Sequence, residues 1–373
     1  DALGGWLGQF GGWTVALIPV VGGLLVGAFL HFFIGEERYH GVAGIMEAVA
    51  LAGGRLRYRR IPAKSVASAL SIGFGASVGP EDPSVQIGSN IGSMVGQAVR
   101  LSEERVRALV AAGAAGGIAA AFNAPIAGVF FAVEIVLGEI SGSGLGTIVL
   151  ASVASAVFIQ AVSGPEPAFH VPQYTFVSPW ELPFYVVLGM LAGGIAALYI
   201  RALYKAQDVF HAWAVPRWLK PAAAGLVVGG VGIFLPQVFG VGYSTIEGIL
   251  NGATYSIGLL CALLLAKLVL TPVSIAGGFL GGVFAPSLFL GATLGGAFGQ
   301  VVALLIPAAP TEPAAFALVG MAAVLAGAVH APITAILLLF EMTNDYRIIL
   351  PLMAAVIISL VISQRLQPES VYS

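Results

Sequence analysis

The sequence predicts an all-α polytopic membrane protein, and three observations carry that expectation. Of 373 residues, 58% are hydrophobic and only 9% are charged, with a mean hydropathy of +0.96. A soluble chain carries about 25% charged residues, so this one lacks the polar surface to face water on all sides. Charge-free runs recur along its whole length, at 14–34, 108–133, 145–163, 184–200, 248–266, 268–310, 313–340 and 348–364. Fifty Gly and 21 Pro are spread through the chain, the composition of closely packed and interrupted membrane helices.

Taken in order, these runs differ in what they allow. A simple spanning helix needs about 20 apolar residues for a core of roughly 30 Å. Several runs fall short, and the run at 268–310 is about twice too long. Gly73-Phe74-Gly75, Pro125, Gly281-Gly282, Pro286 and Pro332 interrupt the apolar pattern. The reading is therefore many tilted helices of unequal length, several ending inside the bilayer. Broken backbone at that depth is tolerated only where protein buries it or it lines a cavity.

An internal repeat organises the elements. Gly23-Leu-Leu-Val-Gly27 matches Gly225-Leu-Val-Val-Gly229, and Met46-Glu47-Ala48 matches Ile246-Glu247-Gly248. Gly79-x-x-x-Pro83 matches Gly282-x-x-x-Pro286, each running on to a Gly-Gln pair at Gly96-Gln97 and Gly299-Gln300. Asn123-Ala-Pro-Ile126 matches His330-Ala-Pro-Ile333, followed by Glu134 and Glu341. The offsets are 202, 200, 203, 207 and 207 residues. The chain is expected to form one transmembrane domain over 1–373, with repeat one at about 14–140, connecting helices at about 145–213 and repeat two at about 215–365. Duplicated halves with broken helices are the build of secondary transporters, whose substrate site lies at the midplane between them. The repeat alone leaves parallel and inverted halves open. Arg55, Arg57, Arg59, Arg60 and Lys64 form the densest basic segment, which places the loop at 55–64 in the cytoplasm.

The composition excludes several function classes. The 16 basic and 18 acidic side chains nearly cancel, so there is no basic footprint for nucleic acid. A single cysteine, Cys261, makes neither an intrachain disulfide nor a cysteine-rich metal site. No P-loop, zinc-ligand spacing, nucleophile elbow or dinucleotide fingerprint occurs, so an enzyme, a metal or a cofactor is not expected. A cation-coupled transporter would want polar ligands deep in several spans, and these runs are nearly bare.

The two Gly-x-x-x-Pro turns each precede a helix-compatible run. A helix N-terminus presents unpaired N–H groups and about half a positive charge. Two such ends meeting at the midplane would cradle an anion without binding it too tightly to release.

At this point the residues resemble a known family. Gly79-Pro-Glu-Asp-Pro-Ser-Val-Gln-Ile-Gly88 is similar to the G-R/K-E-G-P-x-V-Q-x-G signature of the CLC chloride channels and proton/chloride antiporters. Gly281-Gly-Val-Phe-Ala-Pro286 resembles their G-x-F-x-P motif; Ala121–Gly128 and Glu341–Tyr346, followed by Pro351, resemble further CLC segments in the same order. The resemblance implies a CLC-type fold of two inverted repeats, a homodimer in the lipid bilayer of a bacterial inner membrane, and chloride or a similar small anion as substrate, with protons as a candidate second substrate. It places the gating glutamate on Glu81, backbone donors to the central anion on Val283 and Phe284, and an inner-gate tyrosine hydroxyl on Tyr346. A cytoplasmic CBS pair, found in many relatives, is not expected within these residues.

Departures from the pattern matter as much. Where relatives place a coordinating Ser before the first anion-facing helix, aligning the motif's glycine with Gly41 puts His40. An imidazole N–H still donates to an anion but titrates near neutral pH. Pro80 and Asp82 flank Glu81 where a basic residue and Gly are usual, and Asp82 is read either as raising the proton affinity of Glu81 or as a solvated or capping carboxylate. Ile135 stands where antiporters commonly carry an internal proton-accepting glutamate. That substitution tilts the expectation toward passive or weakly proton-coupled flow, with coupled exchange by another proton route as the alternative. Glu134, Glu341 and His330 are read as structural, paired or capping groups, and Asn123 as satisfying backbone at a helix break.

Overall fold

A computed structural model describes residues 12–35, 41–138, 144–164, 169, 179–253, 255–306, 312–343 and 346–373. His40 lies outside the described residues. The elements are helices throughout. In chain order they are α1 (Gly12–Phe29), α2 (Gly41–Leu51), α3 (Ile61–Gly73), α4 (Glu81–Ala98), α5 (Glu103–Phe122), α6 (Pro125–Phe131), α7 (Leu145–Ser163) and α8 (Leu182–Ala212). They continue as α9 (Lys220–Gly232), α10 (Tyr243–Leu250), α11 (Ile257–Gly277), α12 (Phe284–Leu305), α13 (Pro313–Val329), α14 (Pro332–Thr343) and α15 (Ile349–Leu366).

Seven of the described helices are long and apolar enough to cross a bilayer, while α2, α13 and α14 are shorter apolar helices. The long run at 268–310 is two helices: α11 is closed by Gly278, the residue after its last, whose φ of 107° only glycine adopts readily, and α12 starts after the turn. Helix α8, with 31 residues, is about 46 Å long at 1.5 Å per residue and must tilt to fit the core. Proline opens several helices at the first or second position, including α6 at Pro125 and α13 at Pro313, where its missing N–H costs nothing.

The strongest packing pairs α4 with α5 and α12 with α13. Gly88 of α4 and Gly113 of α5 each lie where a side chain would strike the other's carbonyl oxygen, and Gly291 of α12 and Gly320 of α13 meet in the same way. Backbones come that close only when both contact residues lack a Cβ. Helix α5 is closed by Asn123 with φ 53°, and α13 by His330 with φ 61°, both left-handed. Each reverses the chain into a Pro-led helix, α6 or α14. The backbone between α3 and α4 then meets the backbone between α11 and α12: Gly79 and Gly282 exchange both hydrogen bonds as an isolated antiparallel bridge, at 2.9 and 2.7 Å. That bridge sets the position of the site.

Candidate functional site

Helices α4 and α12 both begin just past the Gly79–Gly282 bridge, so their N-termini converge. Glu81 is the first residue of α4 and is 1% exposed. Its Oε1 accepts a hydrogen bond of 2.7 Å from the backbone N–H of Phe284, the first residue of α12. Its Oε2 is buried without a partner. Gly79 and Gly282 wall the carboxylate on both sides, since a Cβ on either would overlap it. A charged group is thus lodged against a helix N-terminus of the other half, where the unpaired N–H groups and the dipole favour negative charge. The ring of Phe284 sits between Phe131, edge-on at 5.7 Å, and Phe122 at 6.2 Å, which keeps the donor N–H fixed in an apolar setting.

Asp82 is buried too, and it turns away from Glu81. Its Oδ1 accepts from the N–H of Val42 at 2.7 Å, in the first turn of α2, and its Oδ2 accepts from Gln86 Nε2 at 2.8 Å. A capping carboxylate fits these bonds and a solvated one does not, and Asp82 also stands directly beside Glu81 in α4. Gly41 opens α2 with φ 78° and touches the same carboxylate. Pro80 is the residue before α4, and its carbonyl accepts from the Ser84 hydroxyl at 3.0 Å. Val283 precedes α12 and is buried. Ile135 is 6% exposed within a π-helical turn, Ala132–Leu137, and belongs to the apolar core.

Tyr346 is a correction. It stands 71% exposed in the connection before α15, with its ring edge-on to Phe340 at 6.3 Å. It is not part of the Glu81 cluster. One buried tyrosine near the cluster is Tyr372, at the end of the chain segment that folds back after α15. Val371 N–H bonds to the carbonyl of Ala328 at 3.0 Å, and the Tyr204 hydroxyl holds the Ser370 carbonyl at 2.6 Å. The Tyr372 hydroxyl is buried without a hydrogen-bond partner, and the charges of Asp82 and Glu81 act on it. Tyr243 of α10 has a similarly unpartnered hydroxyl within the field of Glu81, and Tyr199 of α8 lies beside Thr271. The polar tail Gln367–Ser373 gives no hydropathy signal that it returns into the protein, which is why only its fold reveals Tyr372. Lys267 is also beyond sequence reasoning: it is fully buried in α11, with Nζ donating to the carbonyls of Val238 and Gly240 at 3.2 and 2.6 Å over the Phe289 ring.

The fold and the helix ends at this site define an integral membrane protein for moving small anions. The chain belongs to the voltage gated chloride channel family, or CLC, whose family model matches residues 22–364. It is 38% identical, over 97% of its length and 85% of the relative's, to a ClcB-like chloride channel protein of Ralstonia nicotianae. It is 34% identical to the H+/Cl− exchange transporter ClcA of Vibrio vulnificus, over 97% of this chain and 79% of that protein. The crystal structure of a slow cyanobacterial Cl−/H+ antiporter superposes with a TM-score of 0.90 at 27% identity, covering 100% of this chain and 89% of that one. The chain spans about half the length of two Arabidopsis thaliana chloride channel proteins that it also matches.

Proposed function

We propose that this protein exchanges chloride for protons across a bacterial inner membrane, with Glu81 as the group that both anion and proton engage. The observation that carries the reading is the 2.7 Å bond from Phe284 N–H to Glu81 Oε1. An anionic side chain occupies a helix N-terminus suited to a free anion, so chloride and the carboxylate compete for one place. Protonation removes the charge that holds the side chain there, and the site passes to chloride. Binding of one species then depends on the state of the other, which is the linkage that exchange requires.

Exchange is favoured over the passive flow suggested by Ile135. A curated relative at 34% identity is a proton/chloride exchange transporter, and a solved relative at 27% is a chloride/proton antiporter. An apolar residue at 135 closes that position to protons, so the proton reaches Glu81 by another route. In this reading the inner donor to the anion is the hydroxyl of Tyr372 in place of Tyr346, and the backbone donors are Val283 and Phe284. A homodimer with loop 55–64 in the cytoplasm belongs to the same proposal.

The test is chloride efflux from liposomes with proton movement recorded at the same time. Uphill proton uptake driven by a chloride gradient, absent in Glu81→Gln, supports exchange. Chloride flux without proton movement in the native protein replaces it with passive conduction, for which Ile135 is the simplest reason.

A further inference from the structure

Two adjacent carboxylates close two different helix N-termini, and they are held differently. Glu81 reaches α12 through one oxygen and leaves Oε2 without a partner. Asp82 has a shorter side chain and both oxygens engaged, one by Val42 N–H in the first turn of α2 and the other by Gln86. It is 6% exposed, and a Cβ on Gly41 would come within 2.6 Å of Oδ1, so the carboxylate lies flat against the opening residue of the helix. Among charged neighbours, Lys64 of α3 offsets Asp82, while Glu81 stands beside it in α4.

A second feature marks the space between the two helix ends as facing a guest. The Tyr372 hydroxyl is buried with no hydrogen-bond partner, and the carboxylates of Asp82 and Glu81 both bear on it. A free O–H donor and a free carboxylate oxygen therefore lie near two helix ends. Buried polar atoms ordinarily find partners, and a permeating anion would satisfy the hydroxyl.

Resting on the anion-transport reading, we propose that Asp82 is a fixed, tethered anion that fills the N-terminus of α2 and keeps a permeating halide off it, so that the pathway holds halide only at the α12 end, between Phe284 N–H and the Tyr372 hydroxyl. Asp82 is thereby a residue that determines how many anions the pathway holds and how tightly. Its charge repels a halide at the neighbouring site, and its oxygen takes the N–H that a second halide would use.

Bromide is the probe, because it is read by anomalous scattering and by calorimetry. The background is Glu81→Ala, which opens the α12 end. Glu81→Ala crystals grown with bromide are expected to show one anomalous peak, near Phe284 N. Adding Asp82→Gly is expected to give a second peak near Val42 N, and adding Asp82→Asn, which keeps an acceptor for Val42 while removing the charge, to tighten bromide binding by roughly tenfold without a second peak. Should the glycine variant not fold, the asparagine affinity decides alone. A single peak in the glycine variant, or unchanged affinity in the asparagine variant, overturns the proposal and leaves anion transport standing. No bromide bound in any variant overturns the transport reading together with it.

Discussion

Glu134 and Glu341 cap each other's repeats. Glu341, in α14, accepts from the backbone N–H groups of Ile126 and Ala127 at the start of α6, at 2.8 and 2.7 Å. Glu134, in the turn that continues α6, accepts from Ile333 and Thr334 at the start of α14, at 3.2 and 2.8 Å, and from the Thr334 hydroxyl at 2.7 Å. Each carboxylate meets the positive end of a helix from the other half, so the two halves are latched twice through the same chemistry.

Removing either latch should destabilise the protein without touching the anion path. Glu341→Ala strands two N–H groups at a helix start and is expected to cost on the order of 1–3 kcal/mol. Glu341→Gln, which keeps one acceptor oxygen, should lose less. Thermal melting in detergent reads both, and Glu134→Ala should behave like Glu341→Ala. Melting at the native temperature in both alanine variants would mean that the capping bonds contribute nothing net.

The pH dependence of transport should come from Glu81. Protonation discharges the carboxylate and weakens its hold on the α12 N-terminus, so chloride flux is expected to rise as pH falls. Glu81→Gln is neutral at every pH, and its flux should be flat across the same range. Liposome efflux at a series of symmetric pH values checks this. A Glu81→Gln variant that keeps the native pH profile would assign the titration to another group.

Tyr372→Phe and Tyr346→Phe separate the tyrosine that the fold buries from the one that the motif picks out. The first removes a buried, unpartnered hydroxyl near Asp82 and Glu81; the second trims an exposed ring. Tyr372→Phe is expected to weaken halide binding severalfold, as the loss of one hydrogen bond to an anion does. Tyr346→Phe should bind and transport as the native protein does. Equal effects in both variants would remove Tyr372 from the pathway.

What was legible in the sequence follows from where each signal is stored. Membrane character lies in composition, and the paired glycine turns lie in the chain itself, so the helix starts that carry Glu81, Val283 and Phe284 are legible there. The direction of a side chain is not stored that way. Nothing in Gly79-Pro-Glu-Asp-Pro83 says that Glu81 reaches α12 while Asp82 reaches α2, because that depends on which helix ends packing brings near. Tyr372 escaped for a related reason. A short polar tail after an apolar helix reads as solvent-exposed, and only its bonds to Ala328 and Tyr204 turn it inward.

The glycines of the bridge offer a test that leaves Glu81 itself intact. A Cβ at Gly282 would overlap Glu81 Oε1 and come within 3.0 Å of its Cγ. The backbone at Gly282 needs no positive φ, so Gly282→Ala is admissible for the main chain and collides mainly with the carboxylate. The added methyl should push Glu81 off the Phe284 N–H and hand the α12 end to chloride. Expected is faster chloride flux with weaker proton coupling, approaching Glu81→Gln while the titratable group is still present. Gly230→Ala, in α9 where a Cβ meets nothing within 4 Å, should leave both fluxes unchanged and even favour the helix slightly. If Gly282→Ala keeps the native ratio of chloride to protons, the carboxylate has room to hold its place, and the close fit between Glu81 and the bridge is not what couples them.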